Sequence, residues 1–333
     1  MNLEKLNEVI KNEPSYKKEQ VKRAIFVDAV EDWDQASTLS KKLRNELKDK
    51  FPIDIKGESF YSKDGQTIKT LISLDDDKKI EAVLMRHDKG RNTVCVSSQV
   101  GCSLGCKFCA TGKMGFIRNL TYSEIVIQLL YFVRLLKKEE ERVTNIVFMG
   151  MGEPFLNYDN VMTAVRKMND KECFNIGARH ISISTSGIVE GIEKLSQENL
   201  QVNLAISLHA PNEKLRSEIM PVNNKYPLSK VMEAVENYID LTRRKVMFEY
   251  VMIDGVNDGE EEAWELAEIM RDKLCFVNLI SYNPTGVFKP SKREVVENFK
   301  DILTENNISV TQRYRFGVGI DAACGQLATK KEL

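Results

Sequence analysis

The sequence predicts an α/β fold: an incomplete, TIM-like barrel of about six strand–helix repeats, preceded by a small helical module and a β-hairpin. Three observations carry this. From residue 92 onward, apolar β-type runs alternate with helical stretches, the rhythm of parallel strands joined by crossover helices. Before about residue 50, apolar residues recur at helical spacing. Between the two lie a pair of β-rich runs separated by a charged turn.

Residues 1–60 read as the helical accessory module. Leu3, Leu6, Val9 and Ile10 fall on one helical face, as do Val21, Ala24 and Ile25, and Thr38-Leu39-Ser40 starts a charged helix whose apolar side is Leu43 and Leu47. Residues 61–91 hold the hairpin linker, IKTLISL and IEAVLMR flanking DDDKK. Residues 92–333 form the partial barrel. Its strand candidates are 93–98, 145–150, 180–185, 201–207, 246–252, 275–281 and 308–314. Helices are expected at 121–137, 158–168, 228–243, 260–273 and 291–305.

Composition narrows the class. Hydrophobic residues make up 42% and charged residues 29% of the 333, the balance of a water-soluble globular chain. No apolar run is long enough for a membrane span, and the polar, charged start lacks the apolar core of a signal peptide. The expectation is a cytoplasmic protein, a monomer with no membrane partner. The net charge of −1 gives no broad basic face. Local basic groups (Lys41, Lys42 and Arg44; Arg243, Arg244 and Lys245; Arg313 and Arg315) read as solvated faces.

The seven cysteines are not expected to be a disulfide scaffold in such a chain. Four fall between Cys95 and Cys109, while Cys173 and Cys275 read as small buried apolar residues. Cys102, Cys106 and Cys109 stand in GCSLGCKFCATG with the spacing C-x3-C-x2-C directly after the first barrel strand. Thiolates are soft ligands for zinc or iron–sulfur centres. A structural zinc would require a fourth protein ligand, and none lies close behind. Three cysteines on a four-iron cluster leave one iron open. The other strand ends gather small and polar groups: GMGEP at 150–154, STSG at 184–187, SLH at 207–209 and YNP at 282–284, as a barrel-type active site does.

The cysteine spacing after a first strand resembles the signature of the radical S-adenosylmethionine superfamily, in which the open iron of a [4Fe-4S] cluster binds S-adenosylmethionine. The ordered set VCVSSQVGC, CKFCATG, MGMGEPFLN, SISTSG, SLHAPN, GVND and GIDAACGQL resembles the RNA adenine methyltransferases of the RlmN/Cfr family over nearly the whole chain. The resemblance implies that Cys102, Cys106 and Cys109 hold the cluster. It places Gly152, Glu153, Ser184, Ser207, Leu208, His209 and Asn283 at S-adenosylmethionine. It also implies that Cys324 takes a methyl group from one S-adenosylmethionine, and that a second yields the radical that converts this methyl into a carbon able to add to adenine. Cys324 is then linked to RNA, and Cys95 releases the product by forming a disulfide with Cys324. Glu81 matches the proton acceptor for the adenine carbon once one residue is inserted between it and Cys95.

Within the family, RlmN-type members methylate C2 of adenosine 2503 in 23S rRNA and some also act on tRNA, whereas Cfr-type members methylate C8 of that rRNA adenosine and confer antibiotic resistance. Pro154, Val100 and Glu249 are RlmN-like, while CKFCATG and YNPT at 282–285 lie closer to Cfr. The expectation is C2 methylation, with C8 as the alternative. The resemblance also implies a flavodoxin-type electron donor and a target base unstacked into the pocket. Two other classes remain for comparison: a zinc protein that binds RNA without catalysis, and a radical activase that would leave Cys95 and Cys324 without roles.

Overall fold

The computed structural model describes residues 1–313, 316–317 and 319–329. At the N-terminus, helix α1 (Leu3–Val9) is capped by the Asn2 side chain, which accepts the Glu4 N–H at 2.9 Å. Helix α2 (Ser15–Phe26) follows, then α3 (Lys41–Lys50), whose first turn donates the Leu43 N–H to the Ser40 hydroxyl. Val21, Ala24, Ile25, Leu43 and Leu47 turn inward around Trp33. Its indole N–H donates to the Phe51 carbonyl at 2.8 Å, which satisfies the one polar atom of a ring otherwise placed among apolar neighbours.

Three antiparallel strands come next: β1 (Gly57–Tyr61), β2 (Thr67–Ser73) and β3 (Lys79–His87). The sequence pattern marked β2 and β3. Strand β1 was not expected, because GESFY is short and half polar. The barrel then begins with β4 (Arg91–Cys95), which pairs antiparallel with β3 and parallel with the following barrel strand, so hairpin and barrel share one sheet. Strands β5 (Gln99–Gly101) and β6 (Phe116–Asn119) form a separate ladder that flanks the cysteine loop and the short helix α4 (Ala110–Lys113).

Helix α5 (Tyr122–Lys137) carries the first crossover. Its N-terminus is a capping box, with Thr121 and Glu124 satisfying each other's backbone N–H groups. The buried Arg134 of α5 donates to the carbonyls of Val30 (2.6 Å) and Ile53 (2.8 Å), which ties the helical module to the barrel. Parallel strands β7 (Asn145–Phe148), β8 (Ile181–Thr185), β9 (Asn203–Ser207), β10 (Val246–Met252), β11 (Cys275–Ser281) and β12 (Val310–Gln312) complete the sheet. The crossovers after α5 are α6 (Tyr158–Asn169), α7 (Val189–Ser196), α8 (Glu213–Ile219) with α9 (Leu228–Thr242), α10 (Glu260–Met270) and α11 (Arg293–Glu305). Seven parallel strands are thus joined by six helical crossovers. The strands are apolar almost throughout because helices cover one face and the barrel interior the other. Helices α7 and α8 carried no sequence assignment, being too short for their periodicity to stand out. The expected strand 308–314 contracts to β12, and its last residue, Tyr314, lies outside the described residues.

The sheet order runs from β1 to β12 without closure. The chain beyond β12 crosses this gap. The Gly317 N–H donates to the Thr67 hydroxyl at 3.0 Å, and Phe316 meets His87 edge-on at 4.6 Å between ring centroids. No helix among the described residues is long and apolar enough to cross a membrane.

Candidate active site

The cysteine loop is held from three sides. The Cys102 N–H donates to the Gly115 carbonyl at 2.9 Å, the Lys107 N–H to Ile219 at the end of α8, and the Ala110 N–H to Gly325 at 2.7 Å. The Thr111 hydroxyl adds a 2.6 Å bond to the Leu327 carbonyl. Cys102, Cys106 and Cys109 line one wall of a cavity of about 1050 Å³, counting the space open to solvent. Burial pushes the Cys102 thiol up to about 12, with Glu153 and Cys109 adding to the effect, and it pushes Cys106 higher still, reinforced by Cys109 and Cys102. These groups become thiolates only beside a cationic centre, which is the chemistry of a metal site. Among the described residues no three His, Cys, Asp or Glu side chains gather as tightly as the ligands of a single metal ion. Cys102, Cys106 and Cys109 all line the same space, and three soft thiol donors fit an iron–sulfur cluster with one iron left open.

The facing wall comes from the C-terminal ends of β7, β8, β9 and β10. Gly152 has φ +96°, and a Cβ there would meet Gln99 at 2.5–2.9 Å, so only glycine lets this turn close on β5. The buried Glu153 accepts N–H bonds from Phe155 (3.1 Å) and Ser186 (2.8 Å). Burial raises its pKa, the N–H groups of Ser186 and Phe155 and the hydroxyls of Thr185 and Ser186 oppose this, and among the described residues no cation contributes. It is a desolvated carboxyl group that faces the cavity with no positive partner among the described residues, a fitting site for an ammonium group. Ser184 and Ser207 share a 3.2 Å hydroxyl contact at the same wall.

His209 adopts φ +59°, an unusual conformation for a non-glycine residue. Asn257, from the GVND stretch, holds it there by donating to the His209 carbonyl at 2.8 Å. The Val251 N–H donates to Nδ1 at 3.0 Å, so the ring proton must sit on Nε2. Burial, with Arg216 nearby, lowers the imidazole to about 3, and the ring packs edge-on against Phe108 at 4.8 Å. Neutral His209 therefore presents an apolar edge and one N–H donor. Leu208 is fully buried and absent from the cavity lining.

Cys324 is exposed and lines both this cavity and an adjoining one of about 580 Å³, where Cys95, the last residue of β4, is also found. Burial pushes the Cys95 thiol up to about 12, with Cys324 adding and Arg313 opposing. Asn283 lines this second cavity and donates to the Cys324 carbonyl at 3.3 Å, while its own buried Oδ1 has no partner, an acceptor left open for a ligand donor. Glu81 lines neither cavity. It is buried on β3, 3.3 Å from Lys69 of β2, and it accepts the Ala328 N–H at 2.9 Å. Beneath the Cys324 segment it acts as a fastening.

The radical SAM superfamily model matches residues 96–267. A protein of Dictyoglomus thermophilum named "Probable dual-specificity RNA methyltransferase RlmN" is 45% identical over 95% of this chain and 91% of its own length. The corresponding enzyme of Carboxydothermus hydrogenoformans is 44% identical over 96% and 93%. The crystal structure of a radical SAM methyltransferase from Sphaerobacter thermophilus superposes with a TM-score of 0.94 at 44% identity, over 98% of this chain and 97% of that one.

The chain belongs to the RlmN family of radical SAM RNA methyltransferases.

Most of the residues that the family motifs name line these two cavities, but the motifs did not mark several residues that hold the walls in place. Arg216 of α8 is fully buried and donates to the carbonyls of Ser186 (2.7 Å) and Leu208 (3.3 Å) and to Asn223 Oδ1 (2.7 Å), joining three loops behind Cys106. Gln99 accepts the Glu153 N–H at 2.9 Å. Arg313 was expected on a solvated face. It instead turns into the site, lining both cavities, because it follows the C-terminal end of β12 as the other site residues follow their strands. Applying that rule to the seventh strand would have found it. Its sequence partner Arg315 lies outside the described residues.

Proposed function

We propose that the chain methylates C2 of adenosine 2503 in 23S rRNA, and C2 of an adenosine in tRNA, through an S-methylated Cys324 and a transient protein–RNA link. The observation that carries this is the shared placement of Cys324 and Cys95. One exposed thiol borders the cysteine-lined cavity, and a second, buried thiol shares the adjoining cavity with it. Neither a zinc protein nor a radical activase gives that pair work.

When bound by Cys102, Cys106 and Cys109, a [4Fe-4S] cluster supplies the electron for S-adenosylmethionine cleavage, drawn from a flavodoxin-type donor. The rest falls to side chains. Glu153 and the unpartnered Asn283 Oδ1 accept donors of S-adenosylmethionine, while Ser184 and Ser207 contact it and neutral His209 gives one N–H. The Cys324 thiolate takes a methyl group from one of the two S-adenosylmethionine molecules used per turnover. Its sulfur later carries the one-carbon bridge to adenine, and Glu81, which lines neither cavity here, receives the proton from the adenine carbon once the Ala328 contact opens. Cys95 attacks the Cys324 sulfur, the sulfur–carbon bond breaks with its electron pair left on the carbon, and a proton taken up there makes the methyl as the Cys95–Cys324 disulfide forms. Pro154, Val100 and Glu249, together with RlmN-named relatives, favour C2 over C8.

Anaerobic enzyme with reconstituted cluster, given an rRNA fragment, reductant and methyl-labelled S-adenosylmethionine, should yield 2-methyladenosine by mass spectrometry of the nucleosides. The Cys95→Ala enzyme should accumulate a covalent RNA adduct at Cys324. 8-Methyladenosine would overturn the C2 assignment, and unmodified RNA would overturn the reaction.

A further inference from the structure

Three adjacent strands, β10, β11 and β12, are linked at their middles by side chains to which the proposed reaction gives no chemical step. The Thr311 hydroxyl on β12 donates to Asn278 Oδ1 on β11 at 2.8 Å. Asn278 Nδ2 donates to both oxygens of Glu249 on β10, at 3.2 and 3.0 Å, across the register pair Glu249–Asn278. The Glu249 carboxylate lies 3.6 Å from Arg313, whose backbone N–H is fixed to the Leu279 carbonyl at 2.9 Å and whose guanidinium also reaches the Met149 sulfur at 3.3 Å. This chain of contacts aims a guanidinium at the boundary between the two cavities. Arg313 is partly exposed and lines both cavities.

The surroundings of Cys95 make the placement matter. The walls of its cavity from β3, β7 and β11 carry no ionisable group. Among the described residues, Cys324 and Arg313 are the two ionisable groups that line it with Cys95; behind them lie Glu249, 3.6 Å from Arg313, and His87 of β3, whose ring packs on the lining Phe316 and whose charged form burial, Arg91 and Arg313 disfavour. Although burial works against its charge, Cys324, Glu249 and Cys95 together hold the guanidinium above its usual pKa. A buried thiol becomes a nucleophile only if a nearby cation stabilises its thiolate.

We propose that Arg313, held by the Thr311–Asn278–Glu249 relay, is the residue that stabilises the Cys95 thiolate for attack on the Cys324 sulfur. This rests on the release role proposed for Cys95, and the step can be isolated without RNA. Cys324 of the cluster-loaded enzyme is charged with oxidised glutathione, one glutathione leaving as a thiolate as the mixed disulfide forms. Cys95 then attacks the Cys324 sulfur, the Cys95–Cys324 disulfide forms, and the second glutathione thiolate is released and counted by mass spectrometry. The rate against pH reports the Cys95 thiolate.

In Arg313→Gln the profile should move up by about one pH unit, with exchange at pH 8 slowed about tenfold. Arg313→Lys, which keeps the charge, should stay within about threefold of the parent enzyme. A Gln profile that superposes on the parent, or Gln and Lys profiles that move equally, overturns the proposal. If the Gln variant does not fold, Lys decides alone, because a tenfold loss there means that charge is not the contribution. Failure of Arg313 in this assay leaves the release role intact, since that role fails only if Cys95→Ala accumulates no RNA adduct.

Discussion

The buried pair Lys69–Glu81 offers the sharpest test of how the Cys324 segment is held. Both side chains are almost completely enclosed, 4% and 1% exposed, with 3.3 Å between charges. Lys69 has little else: a 3.5 Å approach to the Asp321 carbonyl and the Phe60 ring at 5.7 Å. Glu81 has the Ala328 N–H. Lys69→Met therefore leaves an uncompensated carboxylate, and Glu81→Gln an uncompensated ammonium. Removing one partner of a buried pair costs about 3–5 kcal/mol. The unfolding entropy of a chain this long is about 0.7 kcal/mol per kelvin, so each single variant should melt roughly 4–7 °C below the parent. The double variant Lys69→Met/Glu81→Gln buries no net charge. It should lose clearly less than the two singles combined, and limited proteolysis should show its segment after Gly317 as protected as in the parent. Calorimetry on the four proteins measures this directly. Additive losses in the double variant would refute the coupling, and with it the view that this pair fastens the segment. If the double variant is folded yet fails to turn over RNA, the catalytic role proposed for Glu81 is separated from its structural one.

Three further outcomes follow from the same geometry. Arg134→Met strands the Val30 and Ile53 carbonyls at about 1–3 kcal/mol each, so limited proteolysis should cut within the first 53 residues well before the barrel, with cluster absorbance unchanged. Gly152→Ala forces a Cβ onto Gln99 at φ +96°. S-adenosylmethionine affinity by calorimetric titration should fall about tenfold, while the three-cysteine site still takes up iron. His209 is held neutral to about pH 3, whereas in the unfolded chain it takes up a proton below about 6.5. Its contribution is thus fully present above pH 6.5 and lost as pH falls toward 3, by about 1.4 kcal/mol per unit. Denaturant melts of His209→Gln should show a flatter acid limb than the parent, and parallel limbs would refute the buried neutral imidazole.

Much of this site was legible because its chemistry is local in sequence. Cys102, Cys106 and Cys109 lie within one loop, and Gly152, Glu153, Ser184, Ser207 and His209 each follow a strand whose apolar run is plain. Strand ends deliver them to one face by the geometry of parallel crossovers, so their convergence could be anticipated without coordinates. Arg313, Arg216 and the Glu249–Asn278 contact escaped notice for the opposite reason. Each depends on which strands or loops are neighbours, and an arginine in isolation reads as solvated. Glu81 shows a further limit: a motif match named the residue, but only the fold reveals that Lys69 and the Ala328 N–H already engage it.

By itself, then, the sequence determined the fold class and the alternation of the main barrel strands with their longer crossover helices, and it marked Cys102, Cys106 and Cys109 as candidate thiol ligands, because periodicity and motif spacing are properties of a short stretch of chain. Tertiary structure alone decided what spans the open side of the sheet and what charges surround Cys95 and Cys324. The sheet leaves a gap between β12 and β1, and the segment carrying Cys324 spans it, pinned to the hairpin through Thr67 and Glu81 and to the cysteine loop through Ala110 and Thr111. Those contacts join residues more than two hundred positions apart. Their energetics depend on burial and on the low dielectric around paired charges, which exist only once the chain has packed.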